Sequence, residues 1–285
     1  MRVTKLKISI TIAALGTLFT IGCTSNPFGS SEISRTSSTI TGTVSLGNNL
    51  ASKGAYVWLD GLSVGTRTDE NGRFSLALPP PSAQGNSNGT TGTFNLYYYV
   101  ANFSLNKTEL ATRNGFFILP NQEFDEKGEL HKTKSLFQFL TISTEIQPCS
   151  LQVGAGGLLS VRFVLEAKTD SVSVYFPGEV DEYLYPVLLH NSQSGQLFIM
   201  NATITGVGGD DWLRVGRQPQ SRRLLVSLRG NSLPLGEYQV IPYLLVRHDQ
   251  IPAGLLASLG KNAEALGPEY LNIPFAREGE SLVLY

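Results

Sequence analysis

Residues 54–79 read GAYVWLDGLSVGTRTDENGRFSLALP, and this stretch decides the fold class. Near its end, Phe74, Leu76 and Leu78 alternate with polar or small residues, so they share one side of an extended chain. The preceding residues 69–72 (DENG) are a tight-turn signal, because Asp and Asn bond their own backbone and Gly tolerates positive φ. The stretch therefore predicts short β-strands joined by turns.

The same pattern recurs along most of the chain, where β-branched and aromatic runs are bounded by Gly, Asn, Asp or Pro. The strands predicted in this way are 40–44, 55–59, 73–78, 94–100, 135–146, 158–165, 171–176, 183–189, 196–204, 224–228 and 237–246. Pro186 restricts its run to the edge of a sheet. Only 253–266 is typical of a helix, which Gly260 and Gly267 keep short. The chain is predicted to be all-β.

Three pieces in order are more specific than periodicity. They are I-x-G-x-V at 40–44, A-x-V-x-L at 55–59 and T-x-T-D-x-x-G-x-F-x-L at 66–76, the last expected to form a hairpin. Together they resemble the carboxypeptidase regulatory-like domain, a transthyretin-like (prealbumin-like) β-sandwich. The resemblance implies a non-catalytic domain over 39–147, because the regulatory-like domain is not the peptidase.

The remaining residues, 148–285, are predicted to form a second sandwich. Residues 233–240 resemble the L-x-P-G-x-Y-x-V strand start of immunoglobulin-like modules, with Pro234 one place earlier than in that pattern. A hairpin is expected between 158–165 and 171–176. The resemblance implies an immunoglobulin-like β-sandwich and points to no ligand.

The N-terminus has a basic region, an apolar run of 14 residues over 8–21, and then Cys23. This order resembles a bacterial lipoprotein signal peptide over 1–22, with the lipobox TIGC ending in the lipidated Cys23. The run is shorter than the roughly 20 residues that span a bilayer. An uncleaved anchor or an ordinary signal peptide is the alternative. Residues 23–38 are expected to be a flexible tether, and Thr24 favours a cell-envelope location at the outer membrane.

The charge and the cysteine content of the chain limit the classes of partner that it can bind. Without the signal peptide the chain has 19 Lys and Arg against 23 Asp and Glu, and its only basic run is 217–223. Nucleic acid is therefore excluded as a partner. If Cys23 is lipidated, Cys149 is a lone thiol, and we expect it to be a small buried side chain.

No enzymatic motif is present in the sequence. None of His131, His190 and His248 has Glu three residues later, as a zinc carboxypeptidase requires, and there is no phosphate-binding loop or nucleophile elbow. We expect no enzymatic activity, no cofactor and no metal site. The acidic groups at 69–71 and 210–211 are interpreted as solvated turns rather than calcium ligands, and 154–157 (GAGG) as a turn.

Two functions follow as hypotheses. The first is a structural or accessory role in the cell envelope, through protein partners. The second is carbohydrate binding, for which Trp58, Tyr97, Tyr99 and Trp212 are the candidate ligand-binding residues. Tyr97 and Tyr99 share one side of their strand. A hydrolase would need a set of catalytic residues that come together only in the folded structure.

Overall fold

A computed structural model describes residues 35–47, 52–85, 87–152, 157–205, 211–229, 233–248 and 250–285. The described elements are β-strands with one short α-helix and two 3-10 turns, Pro81–Ala83 and Pro268–Asn272. They are β1 (Arg35–Ser37), β2 (Thr39–Ser45), β3 (Tyr56–Leu59), β4 (Val64–Arg67), β5 (Arg73–Ala77), β6 (Gly92–Tyr99), β7 (Asn106–Arg113), β8 (Phe116–Leu119), β9 (Lys134–Ser135), β10 (Leu140–Gln147), β11 (Ser150–Leu151), β12 (Leu158–Ala167), β13 (Val172–Tyr175), β14 (Glu179–Val180), β15 (Tyr183–Leu184), β16 (Val187–Asn191), β17 (Leu197–Met200), β18 (Ala202–Ile204), β19 (Trp212–Val215), β20 (Gln220–Ser227), β21 (Gly236–Pro242), β22 (Leu245–Val246), α1 (Ala253–Leu259), β23 (Glu278–Gly279) and β24 (Ser281–Leu284). The all-β prediction is confirmed.

Strands β1 to β9 form the first sandwich. One sheet has the order β1-β8-β7-β6-β3-β4, and the facing sheet has the order β5-β2-β9. Phe74, Leu76 and Leu78 are all buried, as their alternation predicts, and they pack against Val57 and Leu59 of the opposite sheet. Burial of these side chains from both sheets supplies the apolar core of this sandwich.

The turn between β4 and β5 forms as the sequence predicts. Asp69 Oδ1 accepts the backbone N–H groups of Asn71 and Arg73 at 2.9 and 2.8 Å, and Gly72 has a φ of +74°. The expected hairpin is wrong, however, because β4 pairs with β3 whereas β5 pairs with β2 in the other sheet. Local side chains specify the turn, but the pairing partner of each strand comes from elsewhere in the chain.

The second sandwich has two five-stranded sheets, β18-β20-β12-β10-β23 and β11-β24-β21-β16-β17. Beside them lie a three-stranded sheet, β19-β13-β22, and the small hairpin β14-β15. The hairpin expected between β12 and β13 is wrong. Both sides of β12 are occupied by β10 and β20, so the chain continues into β13 in a different sheet.

The expectation that Pro186 marks an edge strand is also wrong. Val187–Asn191 forms an interior strand of its sheet, between β17 and β21. Pro186 stands just before the strand, where its missing N–H removes no ladder bond, and its carbonyl accepts the backbone N–H of Tyr243 at 3.1 Å.

Tyr238 anchors the start of β21 in the core of the second sandwich. Its side chain is completely buried, and its hydroxyl donates a 2.7 Å hydrogen bond to the carbonyl of Pro234. A similar hydrogen bond, from a tyrosine to the backbone a few residues upstream, occurs in immunoglobulin-like sandwiches, where it is called the tyrosine corner. This contact fixes the strand start that the sequence pattern at 233–240 indicates.

The expected helix is confirmed only over its first half. Helix α1 covers Ala253–Leu259 and ends at Gly260, whose φ is +156°. The segment from α1 to Ile273 lies between the two sandwiches and contributes Leu255, Leu259 and Tyr270 to a shared apolar cluster. The described residues, from residue 35 onward, form one compact unit. Within the described residues, no helix combines the length and apolar character needed to cross a membrane.

Candidate functional site

Two of the four aromatic residues proposed for carbohydrate binding lie in the interface between the sandwiches. Trp58 and Tyr99 are 1% and 2% exposed, and they pack in one cluster with Leu188 and Leu255 of the second half. We call this set of residues, from β3, β6, β16, β21 and the α1 segment, the junction cluster. Carbohydrate binding by Trp58 and Tyr99 would require exposed rings, and the structure corrects this expectation, because the second sandwich and the α1 segment cover that face of β3 and β6.

Helix α1 approaches Trp58 closely. A Cβ added to Gly254 would lie 3.0 Å from Cη2 of the Trp58 indole, so glycine allows the contact. Nearby, the hydroxyls of Tyr56 and Ser258 are 3.0 Å apart and share a hydrogen bond. Burial raises the pKa of Tyr99 and of Tyr243 well above the ordinary tyrosine value, so both hydroxyls stay protonated.

Polar contacts beside the junction cluster connect the two halves through the chain segment 274–276. Asn102, which is completely buried, donates through Nδ2 to the carbonyls of Leu140 and Ala276 at 2.9 and 2.8 Å. Its Oδ1 accepts the backbone N–H of Ala276 at 3.0 Å. The carbonyl of Ala101 lies 2.6 Å from Nε2 of His248. These bonds add direction to an interface that is mainly apolar.

A cleft of about 380 Å³ opens beside the junction and is lined by several cationic side chains. Arg67 donates to the carbonyls of Gly54 and Asn272, and burial lowers its pKa. The Arg277 guanidinium carbon lies 4.1 Å from the Phe275 ring centroid. Other charged or titratable residues that line the cleft are Lys53, His190, Glu278 and Glu280. The two arginines therefore hold backbone and rings in place, as structural contacts do.

The other two proposed aromatic residues remain accessible, on different sandwiches. Tyr97 is partly exposed and stacks on Trp58, with ring centroids 5.9 Å apart. Trp212 is 53% exposed on β19, and its ring centroid lies 5.0 Å from that of Tyr175 on β13. The four candidates therefore do not share one surface. Sequence reasoning missed Tyr175, although the alternation within 171–176 places it on the side opposite to the core residues Val172 and Val174.

The thiol of Cys149 corrects another expectation. Cys149 is exposed in the turn between β10 and β11, with Sγ 3.7 Å from the carbonyl oxygen of Ile146 and 3.9 Å from Oε2 of Glu280. The apolar side chains around it belong to the strands on either side, so the turn carries this residue to the surface. Cys23 lies outside the described residues.

The acidic side chains in the described turns accept hydrogen bonds from backbone N–H groups. Asp69 holds its turn as described above, and Asp211 Oδ1 accepts the backbone N–H of Gly178 at 2.9 Å. Asp210 and most of 154–157 lie outside the described residues. Among the residues that the structure describes, no three His, Cys, Asp or Glu side chains form a group able to hold a metal ion.

Asp125 forms a second turn of this type and gives a testable pH dependence. Its Oδ1 accepts the backbone N–H groups of Glu129 and Lys127, each at 2.8 Å, and these bonds, the one from Glu129 first, lower the pKa of the carboxyl group. We expect the stabilisation by this turn to be complete above the ordinary carboxyl pKa of about 3.9 and to be lost as the pH falls through the lowered folded-state pKa. A carbon-detected NMR titration of the Asp125 carboxyl measures that pKa.

The variant Asp125→Asn has no carboxyl group to titrate at this position. We therefore expect it to lose the part of the acid dependence of the urea unfolding midpoint that the Asp125 carboxyl causes. Glu109→Gln, at an exposed position on β7, is the control. A measured pKa of the Asp125 carboxyl at or above its ordinary value would contradict the role of the two backbone hydrogen bonds.

Comparisons with known proteins identify no family. No family model matches the sequence, and no curated protein matches it. The major pilin subunit BcpA of Bacillus cereus is a similar solved structure, with 14% identity, a TM-score of 0.22 and a match that covers 71% of this chain and 63% of the pilin. The TIE protein of Bacillus anthracis matches with 11% identity, a TM-score of 0.21 and coverage of 75% and 31%. The chain thus spans less than two thirds of either protein, and these values carry no function to it.

Proposed function

We propose that this protein is a non-catalytic, lipid-anchored component of the cell envelope that acts as a structural or protein-interaction module. The observation that supports this proposal best is the junction cluster, which joins two sandwiches through a shared apolar core. A body joined in this way holds its outer surfaces at fixed relative positions. That property suits a protein that presents binding surfaces at a distance from a membrane.

Lipid anchoring rests on the sequence alone. The basic region, the short apolar run and the TIGC motif before residue 24 support cleavage before Cys23 and attachment of acyl chains to its thiol. Anchoring by more than one acyl chain is stable, whereas a single chain binds reversibly. The tether 23–38 would then separate the folded part from the bilayer, with Thr24 favouring the outer membrane.

The domain assignment is part of the proposal. We propose a carboxypeptidase regulatory-like sandwich over 39–147 and an immunoglobulin-like sandwich over 148–285. The Asp69 turn and the buried face of Phe74, Leu76 and Leu78 support the first assignment. The Tyr238 hydrogen bond supports the second.

Replacing the lipidated cysteine tests the anchor. We expect Cys23→Ala to move the full-length protein from the membrane pellet to the soluble fraction, because the variant has no thiol to acylate. Cys149→Ala, at the other cysteine, should leave the protein in the pellet. Retention of Cys23→Ala in the pellet would contradict lipid anchoring and indicate an uncleaved anchor.

Carbohydrate binding is the second candidate, and the exposed Trp212 beside Tyr175 favours it. A mild-detergent pull-down of the tagged full-length protein, analysed for proteins and glycans, separates the two candidates. A stoichiometric protein partner supports the structural role. Retained polysaccharide without protein supports carbohydrate binding.

A further inference from the structure

Strand β17 (Leu197–Met200) forms an open edge of the second sandwich. It is the last strand of its five-stranded sheet and pairs only with β16. Phe198 packs against the core of the sandwich and Leu197 against the junction cluster, so both faces of the strand are covered. Leu197, Phe198 and Ile199 are nevertheless only half-buried. Solvent therefore reaches these three side chains along the edge of the sheet.

The backbone of β17 directs hydrogen-bonding groups away from the sheet. Just before the strand, the carbonyl of Gln196 accepts the backbone N–H of Asn191 at 2.9 Å. Every second residue of an antiparallel strand bonds to its partner, so Phe198 bonds to β16, whereas Leu197 and Ile199 point their N–H and C=O groups outward. Within the described residues, nothing bonds to these four outward groups.

This edge also has no protection against pairing with another chain. Edge strands are commonly protected by a charged side chain, a proline or a very short length. Strand β17 has four residues, and the whole of 191–209 contains no Asp, Glu, Lys or Arg. In the described part of the chain, every other edge strand contains a charged residue or has at most three residues; these strands are β1, β4, β5, β9, β11, β14, β15, β18, β19, β22 and β23. Strand β17 is therefore the edge best suited to accept a further strand.

We propose that β17 pairs antiparallel with β17 of a second copy of this chain, so that two five-stranded sheets become one continuous sheet. Leu197 of one copy pairs with Ile199 of the other, and symmetry repeats this pair. The outward groups then form four backbone hydrogen bonds, and the side chains form two apolar cross-strand contacts. This inference goes beyond the proposed function, and its test is independent of the Cys23→Ala test of the anchor.

The distribution of charge favours a second copy in the antiparallel direction. At one end of β17, the backbone N–H of Leu184 in the hairpin β14-β15 donates to Oδ1 of Asn201 at 2.8 Å. The acidic residues of this hairpin are Glu179, Asp181 and Glu182. Antiparallel pairing places the hairpin beside 192–196 of the other copy, a segment without charge. Parallel pairing would bring two acidic hairpins together, and their repulsion disfavours it.

Sedimentation equilibrium of the full-length protein, in a density-matched mild detergent and at a series of protein concentrations, measures self-association. We expect the mass to rise from one chain to two with concentration, because a short strand buries little area. Ile199→Pro removes an outward N–H that has no partner in the single chain, so the urea midpoint should stay close to that of the wild type. The dimer loses two hydrogen bonds, and we expect association about tenfold weaker.

A second pair of variants tests the same edge through charge. Leu197→Lys places a positive charge on each copy at the shared edge, and we expect it to weaken association as well. Leu235→Lys makes the same change at a leucine that is 66% exposed elsewhere on the second sandwich, and it should associate as the wild type does.

Three results would overturn the proposal. The first is a wild-type mass of one chain throughout the concentration series. The second is association of Ile199→Pro as strong as that of the wild type. The third is equal association of Leu197→Lys and Leu235→Lys, which decides the question even if Ile199→Pro fails to fold.

Discussion

The variant Trp58→Ala is expected to lose about 3–5 kcal/mol of the free energy of unfolding. Trp58 is 1% exposed, stacks on Tyr97 and faces Gly254 of helix α1. Removal of the indole leaves a cavity that both sandwiches line, because the side chain lies in the junction cluster. Urea unfolding, followed by far-UV circular dichroism, measures the loss.

The junction cluster should also determine how cooperatively the protein unfolds. We expect the wild type to unfold in one calorimetric transition, because its two cores share a buried interface. In Trp58→Ala, weakening of the interface should broaden or split that transition.

Two controls separate the junction from a general loss of tryptophan. Trp212→Ala removes the exposed indole and should change stability by no more than about 0.5 kcal/mol. Trp58→Phe should cost less than about 2 kcal/mol, because it keeps a ring in the cluster. It also removes Nε1, a buried donor for which the described residues provide no acceptor. A loss below about 1 kcal/mol in Trp58→Ala would contradict the structural role of the junction.

The second large effect is expected for Asn102→Ala, with a loss of about 2–4 kcal/mol of the free energy of unfolding. The substitution removes three hydrogen bonds and leaves the carbonyl of Leu140 and both backbone groups of Ala276 without these partners. Buried polar groups that lose a partner cost more than the bond itself contributes. Thermal and urea unfolding measure the change.

Asn106→Ala is the matched control for this prediction. Asn106 is only partly buried, and its Nδ2 reaches the carbonyl of Ser135 at a long 3.4 Å. We expect a change within about 0.5 kcal/mol. If the two asparagine variants had equal stability, the hydrogen bonds of Asn102 would not hold the two halves together.

Sequence reasoning was most successful for turns and for strand faces. The turn at Asp69 and the inward face of Phe74, Leu76 and Leu78 follow from side-chain chemistry and from the alternation of a strand, both local properties. It failed for pairing. β4 with β5 and β12 with β13 are neighbours along the chain but lie in different sheets. Pairing depends on strands that arrive from distant positions.

The surroundings of Trp212 show the same difference between local properties and strand pairing. Trp212 was identified from its residue type, but the Tyr175 ring beside it comes from β13, about 37 residues away along the chain. No local pattern joins two such segments. The pairing of Trp212 with Tyr175 was therefore visible only once the strands were in register.

Residues 56–59 show what the sequence determined and what the tertiary structure decided. The sequence by itself determined that this segment is a strand whose Val57 and Leu59 share one face, because period-two alternation follows from backbone geometry. Only the tertiary structure decided that the opposite side, with Tyr56 and Trp58, is also buried. An aromatic side chain on the outer face of a sheet suits a ligand or another part of the same chain equally well. The α1 segment and the second sandwich, more than 100 residues away along the chain, cover it here.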